Sequence, residues 1–480
     1  MAENLMDKIV ALCKRRGFIY PGSEIYGGIG GFWDYGPLGT ELKRNIKNEW
    51  WKSMVYLRDD VVGLDAAIIM NPEVWKASGH IKAFTDPLVE CKHCHSRFRA
   101  DWIEELQGYS LNHPNLERIW LNRYIDFYRS IHGLKKERDD ARKADSAFIE
   151  FKETRKVLCP ACDVSSDYTE PKVFNLLTEV FLGATEPKQK TYLRGEITQG
   201  AFVNFQNIIN SSRVKIPFGI AQIGKAFRNE ITPGSFTYRS REFEQMELEF
   251  FVRPKDSEAD KWFEYWKKQR MGWYIDLGMK KNHLRFRKHE SYEKAHYAKY
   301  AEDLEYNAPF GWSEFEGIHH RGDWDLGRHK LMYKDEDLKE EFTPWVIETS
   351  GGVDRSALFF LLDAYYEDKK RVVLKLHPKL APIKVAVFPL LANKLPLVKM
   401  AKGIYDNLKA QNIGMIGFDD RGNIGKRYYS QDEIGTPFCI TVDFQSMEDR
   451  TVTVRDRDTA KQERVDMDSL SSYFTKHFNE

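Results

Sequence analysis

The chain has 480 residues, 73 of them basic and 72 acidic, for a net charge of +1. That length calls for two or three domains, and the charge balance excludes a surface built throughout for polyanions, so any nucleic-acid contact has to be a local patch. No apolar run approaches the ~18 residues of a membrane span, and six cysteines are too few for a disulfide scaffold, so a soluble cytoplasmic protein is expected.

At the N-terminus Leu5, Ile9 and Leu12 recur among charges at helical spacing, which predicts a helix rather than an anchor. Four cysteines then form two C-x-x-C pairs, CKHC (Cys91, Cys94) and CPAC (Cys159, Cys162), while Cys13 and Cys439 stand alone as expected packing residues. Each pair offers two thiolates from one tight turn, and two such knuckles complete a tetrahedral zinc site closed across an insertion. Two other readings stay open: four reduced thiols without metal, or a mixed site in which His93 or His95 replaces a cysteine. A redox role is disfavoured because neither pair opens a thioredoxin-like helix. Between the knuckles, Leu116, Ile119, Trp120, Tyr124 and Phe127 predict helix, with charged runs such as KKERDDARK (135–143) as a solvated face. A basic surface touching RNA is the alternative there.

The stretch KAFRNEITPGSFTYRSREFEQMELEFF (225–251) predicts a hairpin, with strands at 227–230 and 239–251 around Pro233–Gly234. Strand alternation puts Arg239, Arg241, Phe243, Gln245, Glu247 and Glu249 on one face and Met246, Leu248 and Phe250 on the other. A salt-laced exposed sheet would alternate in the same way. A nucleotide pocket, however, needs a ring for the base, a polar group for the base edge and guanidinium forks for phosphates; Arg228, Glu230, Arg239, Phe243 and Glu247 supply that set. Further on, VIETSGGVDRSALFFLL (346–362) predicts a strand, a Gly–Gly turn and a helix with Arg355 near its start. Such a turn is either close packing or a phosphate site. After a linker at 376–382, strand 383–388, a helix from Pro396 with Val398, Ala401, Tyr405 and Leu408 on one face, strand 413–418, a polar helix near 425–433, strands FCITV and TVTVR and a closing helix near 470–478 predict a small α/β domain with a largely parallel sheet.

These blocks carry a resemblance. FRNE followed by R-x-x-x-F-x-x-x-E resembles motif 2 of class II aminoacyl-tRNA synthetases, GGVDR resembles motif 3, and the helix GTELKRNIKNEWW (39–51) with strand VVGLDAAIIM and Pro72 resembles motif 1, the dimer contact of that class. YGGIGGFWDYGPLG, SGH (78–80), LRGEITQGAFVNF, REFEQMELEFF, GWSEFEGI and RGDWDL are similar to blocks of the homodimeric, class IIa glycyl-tRNA synthetase family, over nearly the whole chain except about 100–157.

The resemblance implies an α/β and α+β multidomain protein. Its catalytic domain would be an antiparallel class II sheet flanked by helices, split between 1–87 and 171–375. A zinc-knuckle and helical insertion would occupy 88–170, and a C-terminal α/β anticodon-binding domain 383–480. It implies that ATP activates glycine to glycyl-adenylate, which is passed to tRNA(Gly). Arg228 would bind the α-phosphate and the amino-acid carboxylate, Glu230 the adenine amino group, and Phe243 would stack on adenine. Arg239 and Arg355 would hold the γ-phosphate side, with Mg²⁺ neutralising it and Glu348 its ligand or neighbour. Glu196, Glu247, Glu348 and Ser350 would surround the glycine ammonium, with Arg321 lining the same pocket. The chain departs from the family pattern in RGEITQ, where RPETAQ is frequent, and in Gly234, where a basic residue often follows the motif 2 proline. Two rivals are weighed: another class IIa synthetase (Thr, Pro, Ser or His), against which the acids at Glu196 and Glu247 argue, and a non-catalytic synthetase-like nucleic-acid-binding subunit, which would have lost the ATP arginines.

Overall fold

The protein is described by a computed structural model covering residues 5–108, 116–132, 137–164, 167–231, 233–289, 299–367 and 371–479. The side chains of Leu116 and of most of the charged run 135–143 lie outside the described residues.

A seven-stranded sheet forms the centre. In chain order its strands are β1 (Val61–Leu64), β2 (Phe218–Phe227), β3 (Glu242–Val252), β4 (Leu284–Lys288), β5 (Tyr300–Ala308), β6 (Gly311–Gly322) and β7 (Trp345–Gly352), arranged β4-β5-β6-β7-β3-β2-β1. All pairs are antiparallel except β1 with β2. One face of β3 carries Met246, Leu248 and Phe250, all fully buried, and packs on helices α1 (Leu5–Arg16), α2 (Pro37–Trp51), α3 (Asp256–Asp276) and α4 (Val353–Ala364) in one hydrophobic core. α2 starts from Pro37 at its first turn and buries Leu38, Leu42, Ile46 and Trp50, one per turn. Gly39 is required there, because a Cβ would stand 1.9 Å from the Phe18 carbonyl oxygen.

Several expectations are corrected. The hairpin strands run 218–227 and 242–252, not 227–230 and 239–251. Arg228 N–H still donates in register to Arg241 O (2.9 Å), but Asn229 N–H turns away to Leu176 O (2.8 Å), and Arg239 and Arg241 precede the strand instead of standing on its alternating face. The Gly351–Gly352 pair is the end of β7, opposite Met246 and Gln245, and α4 follows with no turn between. The motif 1 strand stops at Leu64.

The insertion has its own core, in which Trp120, Tyr124 and Phe127 of a helix at Leu116–His132 meet Phe148 and Phe151 of one at Glu137–Thr154, beside Cys91 and Cys159. The C-terminal sheet has strands β8 (Val385–Pro389), β9 (Ile416–Phe418), β10 (Phe438–Val442), β11 (Thr451–Asp456) and β12 (Gln462–Asp466) in the order β9-β8-β10-β11-β12. β9, β8 and β10 are parallel, while β11 and β12 are antiparallel, so the sheet is mixed rather than largely parallel. The helix Leu395–Ala410 buries Leu397, Ala401, Ile404 and Leu408. Its inward face is thus turned by one position from the one expected through Val398 and Tyr405. Cys13 and Cys439 are buried packing residues as expected. Among the described residues no helix is long and apolar enough to cross a membrane.

Candidate active site

β3 is buried on both faces from Gln245 to Val252, not on one as the alternation suggests, and the strand register explains how its polar face carries charge. Residues directly opposite across a ladder share a face, and Glu247 opposes Ser350, which opposes Gly317, which opposes Asp303. One pleat along, Glu249 opposes Glu348, which opposes His319; one pleat the other way, Gln245 opposes Gly352. The polar face is therefore a continuous floor from β3 to β5.

At one end of this floor lies a cavity of about 270 Å³ whose walls include Arg228, Glu230, Arg239, Phe243, Glu314, Ser350 and Arg355. The Arg228 guanidinium sits 5.3 Å from the Phe243 ring centroid and 5.2 Å from that of Phe84, while its Nε donates to Gly195 O (3.0 Å). Arg355 donates from Nε to Tyr238 O (3.1 Å) and from a terminal nitrogen to Glu314 Oε1 (2.6 Å), and it lies over the Tyr238 ring at 4.5 Å. Partial desolvation works against a charge on Glu314, but it stands at the open side of the cavity with its side chain about half exposed, and Arg355, then Arg228 and Arg239, hold its carboxyl down at about 2. The cavity walls thus hold three guanidiniums and aromatic rings, with Arg228 beside Phe243 and Arg355 over Tyr238. Glu314 is missing from the expected site residues; its only signal was a place in the GWSEFEGI block.

Glu196, Glu247, Glu348 and Arg321 do not line that cavity. They form an adjoining buried cluster, and Ser350 belongs to both, lining the cavity and donating to Glu247 Oε1 at 2.5 Å. Gln245 Nε2 meets the same oxygen at 2.7 Å, and Thr198 Oγ1 reaches Glu247 Oε2 (2.6 Å) and Glu348 Oε1 (3.2 Å). Arg321 bridges Asp325 (2.8 and 3.1 Å) and Glu348 Oε1 (2.9 Å), while His319 Nδ1 shares a proton with Glu348 Oε2 at 2.5 Å. Glu348 is therefore engaged on both oxygens, away from the cavity arginines. The His80 ring meets Glu196 at 3.2 Å and Ser78 Oγ at 2.8 Å.

Electrostatics separates these acids. For Glu196, burial would raise the ionisation point, but His80 and Arg321 overcome it and hold the carboxyl below its ordinary range. For Glu247, burial, Glu348 and Glu196 together lift it to about 7 despite the hydroxyl donors. Like charges gathered in a low dielectric raise the member that the cations do not contact; here Arg321 meets Glu348 and His80 meets Glu196. His80, Thr198, His319 and Asp325 were not among the expected site residues, although His80, Thr198 and Asp325 stand in the SGH, LRGEITQGAFVNF and RGDWDL blocks; the acids that His80, Thr198 and His319 meet lie far along the chain.

The four expected cysteine ligands come together. Their sulfurs lie within 4.8 Å of one another, with Cys94 and Cys159 at 3.7 Å; a tetrahedral zinc with ~2.3 Å bonds places its sulfurs about 3.8 Å apart. The two knuckles have the same backbone. His95 N–H donates to Cys91 O and Asp163 N–H to Cys159 O (2.9 and 2.8 Å), and Cys91 N–H and Cys159 N–H return to Ser96 O and Val164 O (2.9 and 3.0 Å). His95 and Asp163 hold the same left-handed φ, 60° and 57°. The His95 ring instead pairs with Glu90 at 2.9 Å, and among the described residues the four cysteine sulfurs, with neither histidine, form the group close enough to share a metal.

Comparison with known proteins agrees with this geometry. The family described as tRNA synthetase class II core domain (G, H, P, S and T) matches residues 181–365, and the anticodon binding domain matches 384–477. The chain is 47% identical to the glycine–tRNA ligase of Borreliella burgdorferi, over 98% of this chain and 96% of that one. It is 48% identical to that of Alkaliphilus oremlandii, over 99% and 98%, and 48% identical to that of Streptomyces coelicolor, over 98% of each. With a class II sheet, an arginine-walled cavity and full-length similarity of this degree, the chain belongs to the glycine–tRNA ligase family of class II aminoacyl-tRNA synthetases.

Proposed function

We propose that the protein is a cytoplasmic enzyme that activates glycine with ATP to glycyl-adenylate and transfers the glycyl group to tRNA(Gly). The observation that carries this reading is the junction at Ser350, where a cavity walled by Arg228, Phe243 and Arg355 adjoins a pocket of buried carboxylates. Phe243 stacks the adenine, Glu230 accepts from its amino group, and Arg228 holds the α-phosphate against the glycine carboxylate. That carboxylate attacks the phosphorus and pyrophosphate leaves, so positioning and charge stabilisation carry the step without a general base. Arg239 and Arg355 hold the outer phosphates, Glu314 fixing Arg355 in place. Mg²⁺, when bound with ATP, neutralises the triphosphate. Glu196, Glu247 and Glu348 hold the ammonium and fill the space that a larger side chain would need, so selectivity is steric. Of the two places expected for Glu348, its bonds to Arg321, Thr198 and His319 favour this pocket.

Cys91, Cys94, Cys159 and Cys162 hold a structural Zn²⁺, supported by their matched knuckles. The module at 383–480 reads the anticodon by stacking and base-edge hydrogen bonds. The enzyme is a homodimer joined at α2; Ile25 and Tyr26 (87% exposed each), Tyr56 (74%) and Leu57 (71%) flank that helix as apolar surface needing cover. Pyrophosphate exchange measured with each of the twenty amino acids tests the reading. Glycine alone should drive it, and exchange driven by threonine, proline, serine or histidine would overturn it.

A further inference from the structure

Glu249 has no part in the glycine site as proposed, yet it lies inside it. It is 1% exposed, and among the described residues neither of its carboxylate oxygens has a hydrogen-bond partner. It faces Glu348 across the β3–β7 ladder, and its carboxylate comes within 4.8 Å of those of Glu247 and Glu348. Those two neighbours differ from it, since hydroxyl, amide, imidazole and guanidinium groups meet their oxygens. A buried carboxylate keeps its charge only when donors or cations replace the water it lost. Around Glu249 the acids are Glu348, Glu247 and Asp325, and Arg321 is the cation that faces it. Arg321 is already divided between Asp325 and Glu348. An arriving ammonium adds one positive charge, too little for three carboxylates.

We infer that Glu249 stands in the working site as a neutral carboxylic acid, a positioning residue whose retained proton lets Glu247 and Glu348 carry the charge that meets the ammonium. This rests on the glycine reading above. Burial first, then Glu348, pushes the Glu249 carboxyl well above the ordinary range for a glutamate, with Arg321 opposing. Glu249 thus differs from Glu247 in having no hydroxyl or amide to stabilise an anion.

The test joins an infrared measurement to kinetics. In glycine-saturated wild-type protein at about pH 8, where ordinary carboxyls are ionised, a protonated-carboxyl stretch should persist and should be missing from Glu249→Gln. The amide mimics a neutral acid, so the variant should keep KM for glycine and kcat of pyrophosphate exchange within about threefold of wild type. Absence of the band from the wild-type protein overturns the inference, and that measurement stands even if the variant does not fold. A rise in glycine KM beyond about tenfold in folded Glu249→Gln, with KM for ATP unchanged, also overturns it, because Glu249 would then be acting as an anion on the ammonium. Failure of the parent reading looks different: the wild-type enzyme would show no glycine-dependent exchange at all.

Discussion

At the scale of single residues, the charge on each acid is set by its depth and its neighbours together. Glu314 and Glu247 both border the same floor, yet one is held at about 2 by arginines while the other is lifted to about 7 by burial and like charges. An acid raised to about 7 carries its charge only above that value, so attraction for an ammonium is present above it and fades as pH falls through it. Glycine-dependent kcat/KM should therefore decline below pH 7, approaching tenfold per unit, while KM for ATP stays flat across the same range. A flat glycine profile between pH 5 and 8 would remove Glu247 from the ammonium's contacts. Arg355 offers a second residue-scale prediction. Its side chain bonds loop and strand groups at the cavity wall, so Arg355→Ala should fold normally by circular dichroism and lose at least about a hundredfold in exchange. Glu314→Gln, which leaves the guanidinium present but loosely held, should lose about tenfold. Near-normal exchange in Arg355→Ala would refute its role.

At the scale of elements, what was legible in the sequence was local. Alternation from Phe243 to Phe250 could be read because period two acts within a strand, whereas the burial of its polar face comes from the surrounding elements. The two knuckles could be read because each is closed by bonds four and five residues apart. Strand ends could not, since Asn229 leaves the ladder for a partner at Leu176, and the inward face of helix 395–410 depends on the sheet it meets. Much of the site was legible only as family blocks, and Glu314, His80 and His319 gain meaning from strands and helices that folding brings alongside. The insertion shows how a local signal organises a larger unit. Cys91 and Cys159 are packed in the same cluster as Trp120, Phe148 and Phe151, so the metal would tie the strand at 85–90 to the helical pair. Cys159→Ser should abolish zinc by elemental analysis and speed amide exchange in both helices, at a cost of several kcal/mol to the insertion. Pyrophosphate exchange should stay within about threefold, because the catalytic sheet has a separate core. Zinc-free wild-type protein with normal amide protection would refute the structural role of the metal.

At the scale of the whole molecule, the catalytic sheet and the C-terminal module must hold one tRNA at two places, so their mutual position is a functional quantity. The connection between them is gripped from both sides. Asn45, on α2, donates to Leu380 O (3.2 Å) and Ala381 O (3.0 Å), and Lys384, at the entry to β8, donates to Pro378 O and Lys379 O (2.8 Å each). Arg15 and Arg16 at the end of α1 reach Glu433 of the module, and Arg371 reaches Asp432 at 2.7 Å. The helix proposed to join the two protomers is thus also the one that fixes the arm leading to the anticodon module. Asn45→Ala removes two hydrogen bonds to the linker without touching the cavity or its acids. Glycine-dependent exchange should remain within about twofold, whereas kcat/KM for tRNA charging should fall by about tenfold, since small misplacements of a bound substrate are costly. Shortening the RNA to an acceptor-stem minihelix, which never reaches the module, should erase the difference between variant and wild type. If the variant charges the minihelix as poorly as it charges full-length tRNA, the defect lies in the catalytic sheet, and the linker is not what sets the distance between the two ends of the substrate.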